Sequence, residues 1–381
     1  MKLASELSII NLDANASVPP LPEAKQALMA ALDLNGNASS AHALGRKLRC
    51  MLDVARENVA HALGGNENEL FFCSGASEGN RWLVDALVHS GEVRGRPFRV
   101  LVSPLEHPSL MKCLESKAAA GKIELEKMSL EGGKLKLEDN LGKAQAVFIT
   151  AAHNETGYLP NWAELIPWIA PDAILISDAA QAVGRIEGLP RRVDAIVASS
   201  HKMGGVVGAG AVLLRGQAQK LSAPWSGGGQ EAGLRPGSES VPLIAAMGEA
   251  ARLIGDTRQK NQQLAELRDS IEAELLEGWP FAFLVGHEAG RLPQTSAICV
   301  NGVDPEALRI NVDQARICVG FGSACSALAP EPSPALLAFG LTPSQARATI
   351  RISLSPELSR DAILEGITRL KDLVIGMKAQ N

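Results

Sequence analysis

The chain is predicted to be an α/β protein, with a mostly parallel, helix-covered sheet followed by a smaller α+β unit. Two observations predict this. Between residues 70 and 214, short apolar runs alternate with helical patterns through short loops, the order that produces parallel strands joined by crossover helices. After residue 255 the pattern changes to short strands set between helices, with no internal repeat. The 381 residues therefore divide into a large domain, 1–255, and a small α+β domain, 256–381, with the extreme N-terminal residues free to pack on the latter. Cores of that size need no disulfide or metal staple.

An extended piece, 9–12, runs into Asp13-Ala14-Asn15-Ala16-Ser17 and a turn at Pro19-Pro20. A helix is predicted over 22–34 and, after the small-residue loop 35–42, a longer one that runs to Leu63 and is stopped by Gly64-Gly65. Strand 70–73 leads through Ser74-Gly75-Ala76-Ser77 into a helix over 78–89. Strand 99–103 leads through Glu106-His107 into helix 109–120, and strand 146–151 leads through His153-Asn154-Glu155-Thr156-Gly157 to a helix near 162–169. Strands 174–177, 195–198 and 211–214 follow. Beyond the glycine-rich loop 226–230, a long amphipathic helix is predicted from Ser240 to Glu277 with a break around Gly255. Short strands 281–285, 297–300 and 350–354 mark the small domain.

Composition excludes several classes. The chain is 46% hydrophobic and 21% charged, ordinary for a globular protein. A net charge of −5 without a Lys/Arg-rich run argues against nucleic acid as a partner. The first residues lack the basic start and apolar stretch of a signal peptide, and no apolar run reaches the ~18 residues that would span a membrane. Six cysteines (Cys50, Cys73, Cys113, Cys299, Cys318, Cys325) occur without a C-x-x-C pair, against a zinc cluster or a disulfide framework, so no metal is expected and the reducing cytoplasm is the expected compartment.

In open α/β sheets ligands bind beyond the carboxyl ends of the strands. Asp178, Gln181, His201 and Lys202 lie just past two such ends. A lysine in a partly desolvated crevice loses its proton readily and attacks carbonyl carbon, and a carboxylate nearby can hold a pyridinium nitrogen protonated. Taken singly, the lysine and the aspartate are better explained as a surface lysine and a helix-capping aspartate; the pair is more telling. Ser74-Gly75-Ala76-Ser77 between strand and helix is an anion site or a plain N-cap. His107 can stack on an aromatic ring or serve as a structural hydrogen-bonder, and Asn154 offers an amide or simply occupies a turn. Polar residues at five successive strand ends make coincidence the poorer explanation.

Cys325 sits among small residues in Gly322-Ser323-Ala324-Cys325-Ser326, ahead of the proline-punctuated Ala329-Pro330-Glu331-Pro332-Ser333-Pro334. A cysteine on such a loop is a candidate reactive thiol, whereas the other five lie in apolar contexts and are expected in the core. Arg351, in an apolar strand, requires a partner: a substrate carboxylate or an internal ion pair.

Taken in order, these blocks resemble the cysteine desulfurases of class V aminotransferase type. The resemblance runs from Leu12-Asp13 to Arg351-Ile352-Ser353 and includes 36–42 with Gly45-Arg46, 74–80, Glu106-His107, 154–157, 178–181, 199–202, 227–237 and 322–333. It implies a large domain that binds pyridoxal 5′-phosphate (PLP) through Lys202, with Asp178 on the ring nitrogen and Gln181 on the ring hydroxyl. It further implies His107 stacked on the ring, Asn154 close to ring and substrate, and Ala76, Ser77, Ser199 and His201 on the phosphate, joined by Ser238 from a second subunit. Arg351 would take the substrate carboxylate, and Cys325 would be the nucleophile.

The implied partners are L-cysteine, a second copy of the chain, and a sulfur acceptor such as an iron–sulfur scaffold or a sulfur carrier. Several positions depart from the family pattern: Ser77 and Ser238 replace threonine, Val206-Val207 replaces Pro-Lys, Pro236 replaces serine and Ser355 replaces glycine. The long Cys325 loop favours cysteine over selenocysteine. The alternatives are a selenocysteine lyase, a small-amino-acid aminotransferase, or a non-catalytic sulfur-relay protein.

Overall fold

The computed structural model describes residues 8–137, 139–322 and 331–379. Its centre is a seven-stranded sheet, in spatial order Leu70–Cys73, Gly210–Leu214, Ala195–Ser199, Ile174–Asp178, Ala146–Phe148, Phe98–Val102 and Ile123–Lys127. Only Gly210–Leu214 runs against its neighbours. The mostly parallel sheet expected from the alternation is therefore present, extended by the edge strand Ile123–Lys127, which the sequence reading did not separate.

The strands are apolar on both faces because helices cover both. One core takes Leu101, Leu175, Ile196 and Leu213, together with Leu52 and Met247. These last two come from Ala43–Ala62 and Val241–Arg252, helices packed against each other. The opposite core takes the alternate residues Val100, Ile176, Val197 and Val212 with Trp82, Leu87 and Leu110 from helices Ala76–Arg94 and Pro108–Ala119. This two-residue period is that of a strand buried on both sides.

A second sheet of four antiparallel strands is ordered Ala282–Leu284, Thr295–Val300, Thr349–Ser353 and Gly320–Phe321. Its core joins Ile298, Ile350 and Ile352 to Ile271, Ile367 and Leu370 of helices Leu264–Gly278 and Arg360–Ala379. The N-terminal strand Ile10–Asn11 pairs in parallel with Ile317–Cys318, and Ile10 and Leu12 enter this same core.

Three local expectations are corrected. The helix after the Gly-rich loop breaks at Leu253 and Gln263, giving Val241–Arg252, Ile254–Gln262 and Leu264–Gly278, while Gly255 lies inside the middle segment. The helix expected from Glu78 starts at Ala76, immediately after Gly75. Of the cysteines expected in the core, Cys73 and Cys299 are buried, but Cys50 and Cys318 are exposed and Cys113 is half-buried. Cys50 lies on the solvent side of a helix whose Leu48 and Leu52 face inward, and Cys318 alternates with buried Ile317.

Candidate active site

Five parallel strands end on one edge of the large sheet, and each loop beyond them delivers a polar group. Past Leu70–Cys73 the backbone turns at Gly75 into helix Ala76–Arg94, so half-buried Ala76 and exposed Ser77 open its first turn, whose N–H groups have no intrahelical partner. The turn fits because the neighbouring strand begins with Gly210; a Cβ there would lie 2.5 Å from the Gly75 Cα. Arg235, from the Gly227–Gly237 loop, pairs with Glu78 at 2.8 Å, and Glu78 accepts from the Ser74 amide at 2.7 Å. The loop itself is anchored by buried Glu231, which takes Arg56 in a two-pronged ion pair and the Phe72 amide.

Past Phe98–Val102, His107 caps helix Pro108–Ala119. Its Nδ1 accepts from the Ser109 amide at 3.2 Å, which leaves the neutral ring its proton on Nε2. Desolvation holds its pKa below the ordinary histidine value; nearby Asp178 opposes this and nearby Lys202 adds to it. Asp178, at the end of Ile174–Asp178, is buried and accepts from Asn80 Nδ2 at 2.7 Å and the Ala180 amide at 2.9 Å. Past Ala195–Ser199, Ser199 Oγ lies 2.9 Å from His201 Nδ1, and Lys202 follows. Burial lowers the Lys202 pKa to about 8; Arg185 and Arg351 push the same way, against Asp178 and Asp13.

The opposite wall comes from the four-stranded sheet. Arg351 Nη2 pairs with Asp13 Oδ1 at 2.5 Å and Nη1 donates to the Asn154 carbonyl at 3.1 Å, while Nε is buried without a partner among the described residues. The ion pair foreseen as one alternative for Arg351 is therefore present. Gly320 stands opposite Arg351 in the cross-strand register, and a Cβ on it would lie 2.6 Å from Nε.

Lys202, Asp178, His107 and Arg351 are thus brought together. Gln181 turns its Nε2 to the Asn15 carbonyl at 2.9 Å and its Oε1 to Arg185. Asn154 contributes its backbone carbonyl to Arg351 and to Asn15. Ser238 is exposed and has no described contact with this cluster. Cys325 lies outside the described residues.

The sequence reading missed four supports. Asn80 backs Asp178; a polar residue one turn into an apolar helix was the available signal. Asn15 satisfies all of its polar groups: it bonds Ser353 Oγ, Gln181 Nε2, Gln294 Nε2, Thr295 Oγ1 and the Asn154 carbonyl. Asp13, quoted in the N-terminal run and at one end of the resemblance but given no role, pairs with Arg351. Glu106, beside His107, is buried, and among the described residues neither oxygen has a well-aligned partner. Desolvation, reinforced by Asp178, pushes its pKa well above the ordinary value of 4.5, and a contact to the Thr150 backbone offsets this only in part.

The class V aminotransferase family model matches residues 10–364, most of the chain. The chain belongs to the class V aminotransferase family. Within this family it is 33% identical over 373 residues to a cysteine desulfurase of Trichormus azollae, covering 94% of this chain and 92% of that one. It is 28% identical over 412 residues to a selenocysteine lyase of Bos taurus, covering 97% and 94%. Among solved structures, a NifS-like protein from Rickettsia africae superposes with a TM-score of 0.83 at 27% identity, covering 96% of this chain and 99% of that one.

Class V aminotransferases and cysteine desulfurases depend on PLP. The residues present fit that group: a lysine with lowered proton affinity, a buried carboxylate held by two N–H donors, a neutral imidazole, and a helix N-terminus for a phosphate. Among the described residues no cluster suits a metal ion, and no helix is long and apolar enough to cross a membrane.

Proposed function

We propose that this protein is a cysteine desulfurase that converts L-cysteine and a thiol of its own into L-alanine and a persulfide. The observation that carries this reading is Lys202, lowered to about 8, sharing one crevice with Asp178 and His107, in a chain similar along most of its length to cysteine desulfurases. Bound PLP supplies an electron sink for the substrate's Cα–H bond. Lys202 holds the cofactor and, as a neutral amine, takes up the Cα proton. Asp178 keeps the ring nitrogen protonated, held in place by Asn80 and Ala180. His107 and Gln181 face the ring, and Asn154 borders ring and substrate. Ala76, Ser77, Ser199 and His201 hold the phosphate, with Ser238 of the partner subunit in a homodimer.

Arg351 takes the substrate carboxylate, sharing its guanidinium with Asp13. Cys325 is the nucleophile toward the substrate sulfur. The sulfur atom leaves cysteine, a proton replaces it on carbon, and Cys325 carries the extra sulfur to an acceptor protein such as an iron–sulfur scaffold or sulfur carrier. Residues 1–255 act as the cofactor domain and 256–381 as the domain bearing Arg351 and the Cys325 loop.

The test measures alanine and sulfide released from L-cysteine with a thiol reductant, in the native protein and in Cys325→Ala. Equal amounts of both products, lost in the variant, are the expected result. Unchanged release in Cys325→Ala overturns it. The similarity to a selenocysteine lyase supports a second reading, which a higher kcat/KM for L-selenocysteine would favour.

A further inference from the structure

Arg185, seven residues past Asp178, is 3% exposed. Its Nη1 donates to the Gln181 backbone carbonyl at 3.3 Å and to Gln181 Oε1, and its Nη2 donates to the Ala14 carbonyl at 3.2 Å. Among the described residues no carboxylate pairs with it, and the charged group that acts on it is another cation, Arg351. Arg215 is caged by carbonyls in the same way, but has Asp194 close by. A buried cation without an anion is costly, because it gives up its hydration for no opposite charge. A brace between two loops would be built more cheaply from a neutral side chain.

Two geometric facts connect Arg185 to the site. It lines a narrow crevice together with Lys202, Ala14, Gly184, Asn261 and Leu354. It also decides which way the Gln181 amide points. A guanidinium only donates, so Gln181 must present Oε1 to it, and Nε2 then donates to the Asn15 carbonyl. What Gln181 has left for a ligand is an N–H.

We propose that Arg185 is a positioning residue of this site: it locks the Gln181 amide as a hydrogen-bond donor toward bound PLP and sets a cation beside Lys202. The inference deepens the reading of Lys202 and Gln181 as cofactor contacts. A donor facing the ring hydroxyl keeps that oxygen anionic, and the cation makes the Lys202 amine release its proton more readily. The other groups acting on Lys202 are Asp178 and Asp13, which retain its proton, and Arg351, which opposes it. His107 and His201 lie close and are both held below the ordinary histidine value. Lys260 and Glu357, which also border the crevice, pair with each other at 3.4 Å.

The experiment uses two readouts. In the apoprotein, the pH midpoint for modification of Lys202 by fluorodinitrobenzene is followed by peptide mass spectrometry. In the PLP-loaded protein, the visible absorbance is titrated against pH. Arg185→Gln is expected to raise both midpoints by about one pH unit, and Arg185→Lys to restore the apoprotein midpoint to within about 0.3 unit. Should Arg185→Gln not fold, Arg185→His, neutral over the titrated range, takes its place with the same expectation. Midpoints that stay at the native value in a folded charge-neutral variant overturn the proposal. Because the apoprotein readout needs no cofactor, failure to take up PLP sinks the cofactor reading, whereas a flat Lys202 midpoint sinks the role of Arg185.

Discussion

The two walls of the crevice are held by different means. On the large-sheet side, support is mostly local: His107 bonds Ser109, Asp178 bonds Ala180 and Ser199 bonds His201, each two residues away. On the small-sheet side, Arg351 is held by Asp13 and Asn154, which are 338 and 197 residues distant in the chain. Between the walls, Asn15 bonds both sides at once. A strand end followed by a turn positions its own side chain, so the first wall forms wherever the sheet forms. The second wall exists only when the N-terminal segment, the four-stranded sheet and the loop at Asn154 meet. It is therefore the side that can be loosened without unfolding the floor.

The sharpest break on the floor is Lys202→Ala. Loss of the amine should lower alanine release by at least about 10³-fold while the unfolding free energy from urea titration stays within about 0.5 kcal/mol of native. Loss of activity together with the fold would mean that Lys202 holds the floor together.

Asn15→Ala tests the junction. It strands partners on Gln294, Thr295 and the Asn154 carbonyl and should cost about 3 kcal/mol in denaturant titration. A cost under about 1 kcal/mol would show that the walls meet without it.

Glu106 tests the floor's hidden acid. Its pKa is raised in the folded state, so the native state keeps the proton longer than the unfolded chain does. Its contribution is fully present below pH 4.5 and is lost as pH rises toward the folded value. The native protein should lose up to about 1.4 kcal/mol per pH unit across that window, and Glu106→Gln should flatten this part of the urea-stability profile. Parallel profiles for native and Glu106→Gln would place an ionised Glu106 in the fold.

The smallest expected effect is on the second wall. Asp13→Asn should raise KM for L-cysteine about fivefold and leave kcat nearly unchanged, since it frees the guanidinium that meets the carboxylate. An equal fall in kcat would place Asp13 in the chemistry and erase the contrast between the walls.

The floor was legible because its signals are short-range. An apolar run that stops in a polar residue shows up in a few consecutive letters, as at Asp178 and at Ser199-Ser200-His201-Lys202. The first turn of helix Ala76–Arg94 was placed two residues late, because helix propensity at Ser77-Glu78 says little about a start set by the backbone turn at Gly75. Asn80 was quoted within a motif without a role, since nothing local shows that its side chain meets Asp178 across 98 residues. Cys50 and Cys318 were expected inside because apolar neighbours do not reveal which face of a helix or two-residue strand a side chain occupies.

The sequence by itself determined the alternation that makes a mostly parallel sheet, the strand-end residues Lys202, Asp178 and His107, and the family to which the chain belongs. Hydrophobic period and turn chemistry are local properties, and they suffice for those features. Only the tertiary structure decided that Arg351 meets Asp13, that Asn15 joins the two sheets, and that Arg185 lies buried beside Lys202 with no carboxylate among the described residues. The strength of a charge depends on what surrounds it in space, and Asp13, Asn154, Arg185 and Arg351 become neighbours only after the chain has closed on itself.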